Sequence, residues 1–182
     1  MKRFILPCCL LAAASIAAGL AARPGAAESR PSPAAAQAAF DALKALEGSW
    51  AMCDEDGSPT DQIGSIYHVT AGGSAVMETM FPGAEHEMLT VYYLENDTLK
   101  MTHYCMLGNR PVLTCSQAEI GAMVFECTGA ECCGDHMHMH AATFDLTGHD
   151  RITTTWRANA PAPGEDEEHE ARFELVRVGS SN

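Results

Sequence analysis

From Trp50 almost to the C-terminus, apolar and polar residues alternate with a period of two, and this pattern constrains the fold more than anything else in the chain. Successive side chains on a strand point to opposite faces, so sustained alternation describes strands with one face in a core and one in water. The runs predict strands at 49–54, 62–70, 74–81, 86–94, 98–106, 111–117, 121–127, 136–146, 151–158 and 168–178. Turn formers separate them: Asp56-Gly57, Gly72-Gly73, Pro82-Gly83, Asn96-Asp97, Gly108-Asn109, Gly148 and Pro161-Ala162-Pro163-Gly164. Ten short strands with short connections predict an all-β fold, an up-and-down antiparallel barrel or a sandwich. One helix precedes them. Ser32-Pro33 supplies an N-cap and a first-turn proline, and Ala36, Ala39, Phe40 and Leu43 mark an apolar face that Gly48 closes off.

The first 27 residues read differently. Lys2 and Arg3 form a positive start, Phe4 to Leu20 an apolar run, and Gly25-Ala26-Ala27 a small-residue cleavage site, the pattern of a secretory signal peptide. The run is short and alanine-rich for a spanning helix, so no stable membrane insertion is expected after cleavage. Cys8 and Cys9 lie too early in it for lipoprotein attachment. The expected organisation is a signal peptide over 1–27, a disordered lead-in over 28–32 and one domain over 33–180, in a periplasmic or secreted protein.

Cleavage removes Lys2, Arg3 and Arg23, leaving eight basic side chains against 24 acidic ones and a net charge near −16. Such a field repels phosphate backbones and anionic lipid, which argues against nucleic-acid binding. It is compatible with a metal cation or a small apolar molecule as partner. Cys53, Cys105, Cys115, Cys127, Cys132 and Cys133 remain, and in an oxidising compartment an even count favours disulfides, with the pairing open. The run Glu165-Asp166-Glu167-Glu168 fits a solvated hairpin loop.

Several stretches carry a family likeness. LEGSW (46–50) resembles the Gly-x-Trp entry to the first strand of lipocalin-like, or calycin, barrels. TAGGSAVMETMFPGAEHEMLTVYYL, LKMTHYCMLGNRP and the later DHMH resemble a family of uncharacterised secreted bacterial proteins with a lipocalin-like fold. The positions that match are Glu78, His86, Glu87, His103, Tyr104, Cys105, Asn109, Pro111, His136 and His138, while Cys115, Cys127, Cys132-Cys133 and His140 depart from the pattern. The resemblance implies a barrel of about ten strands. It also implies that an arginine of the last strand, Arg177 or Arg172, stacks on Trp50. It brings no activity.

Alternation assigns faces. Leu99, Met101, His103 and Cys105 share one, opposite Lys100, Thr102 and Tyr104. His136, His138, His140, Ala142, Phe144 and Leu146 share another, opposite Met137 and Met139; His169, Ala171, Phe173 and Leu175 a third. If the phenylalanines and leucines point inward, so do the histidines, unless a bulge intervenes. Histidines two apart on a strand are about 6.6 Å apart at Cα and can converge on one ion. His136, His138 and His140, with His103 or His169 from another strand, are therefore candidate ligands for zinc or copper. Behind that reading comes haem, with one of these interior histidines as its axial ligand.

The plainer alternative is a polar interior hydrogen-bonded to itself and to buried water. Were 131–140 an irregular loop, Cys132, Cys133, His136 and Met137 could bind Cu(I) or Zn(II) instead. The leading expectation is a non-enzymatic barrel holding a small molecule. His103, Tyr104, Cys105, His138, Trp156 and His169 would contact the ligand, with Leu99, Met101, Phe144, Leu146 and Phe173 as apolar wall. Glu78, His86 and Glu87 near the Pro82-Gly83 turn could form an acid–base pair, though a solvated network is simpler. No Gly-x-Ser-x-Gly or papain-like motif suggests a hydrolase.

Overall fold

Ten antiparallel strands close on themselves in sequence order, β1 pairing with both β2 and β10. The computed structural model describes residues 30–127, 137–148, 150–159 and 170–179. Residues 1–27, expected to be a signal peptide, together with His136, His169, Cys132-Cys133 and the acidic run 165–168, lie outside the described residues.

The helix α1 (Pro33–Lys44) begins as expected, with Ser32 Oγ accepting from Ala35 N at 3.2 Å and Pro33 in the first turn. Its buried residues are Ala36, Ala39, Phe40 and Leu43. The strands are β1 (Gly48–Cys53), β2 (Pro59–Thr70), β3 (Ala75–Met80), β4 (Met88–Glu95) and β5 (Thr98–Tyr104). They continue with β6 (Val112–Glu119), β7 (Ala122–Glu126), β8 (Met139–Asp145), β9 (Arg151–Ala158) and β10 (Glu170–Arg177). Asn96 and Asp97 both have positive φ, as a two-residue hairpin turn of the type that matches strand twist requires.

Closure leaves no strand edge open, and the interior is filled by side chains. Trp50, Tyr67, Tyr92, Leu99, Met101, Leu113, Met123, Phe125, Phe144 and Ile152 are almost wholly excluded from water. Tyr92, Phe125 and Phe144 meet edge to face, with centroids 5.7–6.0 Å apart.

The barrel has two unlike ends. At one, α1 lays Ala35, Ala38, Ala39 and Ala42 beside the β6–β7 turn and Leu146. The entry to β1 is fixed there: Trp50 Nε1 donates to Leu46 O at 2.8 Å, and the Arg177 guanidinium lies 4.4 Å over the indole. Arg177 also donates to Ala45 O and Glu47 O, both at 2.8 Å. Of the two arginines the calycin likeness offered, Arg177 stacks on Trp50, while Arg172 pairs with Glu174. The other end gathers the C-terminal ends of β1, β3, β5, β7 and β9, and here the candidate functional residues collect.

Two of the barrel's register shifts bear on the candidate residues. Trp50 opposes Ser65 while Ala51 opposes Ile63, so Gly64 is the extra residue between them. A Cβ there would sit 2.5 Å from Leu175 Cδ2 and 2.6 Å from Met52 Sδ, so any side chain at this position forces those two to move. The second lies at His140, where Met139 opposes Ala158 and Ala141 opposes Arg157. His138, Ala142 and Phe144 are buried as the alternation requires, while His140 at the bulge is only half-buried. Met139, expected to face away, packs against the core.

Candidate binding site at the end remote from the helix

His103 is placed by β5. Its neighbours on the alternation, Leu99 and Met101, are buried inside the barrel, and so is the imidazole, 1% exposed. The ring lies against Trp156 of β9, centroids 4.9 Å apart and planes tilted by 39°. Trp156 in turn meets Phe144 edge to face at 6.1 Å and is 3% exposed. Burial pushes the His103 pKa down to about 4, so the ring is neutral at physiological pH.

Thr90 Oγ1 lies 2.9 Å from His103 Nδ1, a hydrogen bond in which either atom donates according to the tautomer, and 4.0 Å from Met80 Sδ. Among the described residues neither His103 Nε2 nor Trp156 Nε1 has a hydrogen-bond partner, although both are buried. Two polar ring nitrogens thus lie unsatisfied on adjacent rings. Each costs about 1–3 kcal/mol unless something pairs with it.

A second cluster forms beside them. His138 is buried, its backbone N–H donating to Asn159 Oδ1 at 2.9 Å and its carbonyl accepting from Asn159 N at 3.1 Å. Asn109 Nδ2 donates to Met137 O at 2.7 Å, tying the β5–β6 loop to this strand. His140, half-buried, brings Nδ1 to 3.4 Å from His138 Nε2. Cys127, whose N–H donates to His140 O at 2.8 Å, completes a group whose ligand atoms all lie within 4.8 Å of one another. His103 is not part of that group. Cys127 is disulfide-bonded. Cys53, Cys105 and Cys115 carry free thiols instead of the disulfides that an even cysteine count favours. Burial pushes the Cys115 thiol up to about 11, and its Sγ donates to Gln117 O at 3.1 Å, so it is unreactive.

The remaining sequence candidates separate. Cys105 is buried on the same face as His103, but Tyr104 points outward and is 46% exposed, away from the interior group. Glu78, His86 and Glu87 form no acid–base pair. His86 stacks on Phe81 at 4.9 Å, Glu87 accepts from Gly83 N at 2.6 Å, and Glu78 sits inside the barrel. There Ser65 Oγ donates to Glu78 Oε1 at 2.7 Å and Tyr92 OH to Oε2 at 2.5 Å. Tyr67 faces the same carboxyl across the β2–β3 pair, without a well-formed hydrogen bond. Burial raises the Glu78 pKa above the usual carboxylate range, against the lowering by its hydroxyl donors. Alternation within β2, β3 and β4 puts Tyr67, Glu78 and Tyr92 on inward positions, so this cluster was open to the same reasoning that placed His103.

No protein-family model matches this chain, and no curated protein is significantly similar to it. The closed antiparallel barrel is compatible with the lipocalin-like fold. What the site does must therefore be argued from its own chemistry.

Proposed function

We propose that this is an exported, non-catalytic binding barrel, taking a small, neutral, largely apolar molecule with one hydroxyl-type head group at the end remote from α1. The observation that carries this reading is the pair of unsatisfied atoms on touching rings, His103 Nε2 and Trp156 Nε1. A hydroxyl, which donates and accepts at once, answers both. A neutral imidazole gives an anion no counter-charge, and the acidic surface discourages one further. The buried side chains of Phe144, Trp156 and Met101 would supply the apolar wall, with Phe81 and Phe173 in edge-to-face contact at 5.3 Å near the same end.

Export rests on the signal-peptide pattern of residues 1–27 and on the likeness to secreted bacterial barrels. A non-catalytic role accords with a site that offers one neutral histidine and an indole, with no nucleophile–base–orienter arrangement among the described residues. The competing account, ordered water on both atoms, makes a different prediction. Protein as isolated should unfold at a higher temperature than protein stripped of small molecules on a hydrophobic resin, by mass action. His103→Leu should abolish that difference. If stripping changes nothing in the native sequence, the ligand reading fails and hydration remains.

A further inference from the structure

The corner formed by Cys127, His138 and His140 has chemistry that the His103–Trp156 site does not use. His140 Nδ1 and His138 Nε2 are 3.4 Å apart. Two imidazole nitrogens bound to one tetrahedral zinc ion are separated by about 3.3 Å, given bonds of about 2.0–2.1 Å. The two rings are therefore already at chelating distance. His140 is the extra residue of the β8–β9 bulge, and His138 precedes it by two residues. The Cys127 sulfur lies within 4.8 Å of both donors, and its strand is held against theirs by the Cys127 N–H to His140 O bond. His138 is fixed in turn by Asn159, whose side-chain Oδ1 accepts from its N–H and whose N–H donates to its carbonyl.

What keeps the set incomplete is the oxidation state of Cys127. In its disulfide the sulfur cannot act as a thiolate ligand. We infer that this corner is a redox-gated site for a zinc-type cation: closed to metal while Cys127 is oxidised, and opened as a two-histidine, one-thiolate site on reduction. The step balances with a dithiol as reductant. Two electrons and two protons cleave the S–S bond to two thiols while the dithiol becomes a disulfide, and the Cys127 thiol releases its proton to water as it binds the ion. Three protein donors leave a fourth position for water. The cation class follows from the donors, since thiolate with imidazole suits zinc and excludes the hard, oxygen-seeking Mg²⁺ and Ca²⁺.

Co²⁺ serves as the probe, because a thiolate ligand gives it a charge-transfer absorption that histidine alone does not. The full-length protein, as isolated and after phosphine reduction, is titrated with Co²⁺ and then with Zn²⁺. The reduced protein should bind one equivalent with the charge-transfer band, and Zn²⁺ should bleach it; the oxidised protein should show no band. His140→Ala, at a half-buried position that tolerates truncation, should weaken binding by roughly 10–100-fold or more. Cys127→Ser should remove the band. Equal binding by oxidised and reduced protein, a band that survives Cys127→Ser, or unchanged affinity in His140→Ala would each overturn the inference. None of these readouts depends on occupancy of the His103–Trp156 site.

Discussion

Arg177 lies 4.4 Å over the Trp50 indole and donates to the carbonyls of Ala45 and Glu47, so one side chain joins the last strand, the first strand and the end of the helix. The barrel is latched at this point, and β1 meets β10 beside it through Trp50 opposite Arg177. Arg177→Ala should destabilise the protein by about 1–3 kcal/mol, from the lost cation–π contact and two charge-assisted bonds. Arg177→Lys should recover little of this, because an ammonium cannot hold two carbonyls and cover the ring together. Urea unfolding midpoints at constant m-value check both.

Gly64 offers a sharper test of the packing. It is the extra residue of the β1–β2 bulge, and the space a Cβ needs is taken by Leu175 and Met52. Gly64→Ala should therefore cost about 1–3 kcal/mol, although it is usually a mild change in a strand. Pairing Gly64→Ala with Met52→Ala should recover part of the loss, because truncation removes one of the two clashes. A double-mutant cycle on unfolding free energies measures that coupling.

The architecture was legible because its signals are local. Period-two alternation marked all ten strands to within a few residues, and Ser32-Pro33 marked the helix start. Alternation also placed His103 inside, beside Leu99 and Met101. The failures share a cause: they depend on how two strands meet. The bulge at His140 reflects the β8–β9 register, which no single strand encodes, and it turns Met139 toward the core. Cys127 joins His138 and His140 only through the β7–β8 pairing, so sequence spacing gave no reason to group them. Glu78 had a local signal. Its nearness to the Pro82-Gly83 turn favours a solvated network, whereas alternation within β3 turns it inward.

Acid stability should carry the signature of His103. Its folded pKa, about 4, lies below the unfolded value of 6.5, so between these limits the unfolded chain binds more protons. Stability therefore falls as pH drops from 6.5 toward 4, by roughly 3 kcal/mol over the window. His103→Leu should flatten that decline in pH-dependent denaturant titrations. An unchanged slope would mean that His103 is not buried neutral.

Glu78 acts in the opposite sense. Its folded pKa is raised, so the folded state holds its proton more tightly than the unfolded chain. The resulting stabilisation is present below 4.5 and is lost as pH rises through the folded pKa. Glu78→Gln, which mimics the neutral acid toward Ser65 and Tyr92, should remove this loss and leave the variant at least as stable as the native protein at neutral pH. Thermal unfolding from mildly acidic to neutral pH separates the two groups, because each substitution removes one slope.

The central claim is that His103 and Trp156 face a bound molecule, and native mass spectrometry of protein taken gently from its host tests it most directly. The expected result is an adduct of one small organic molecule per chain, diminished in both His103→Leu and Trp156→Phe. A native protein without any adduct, together with a Trp156→Phe variant more stable than the native chain, would contradict it and leave buried water as the occupant.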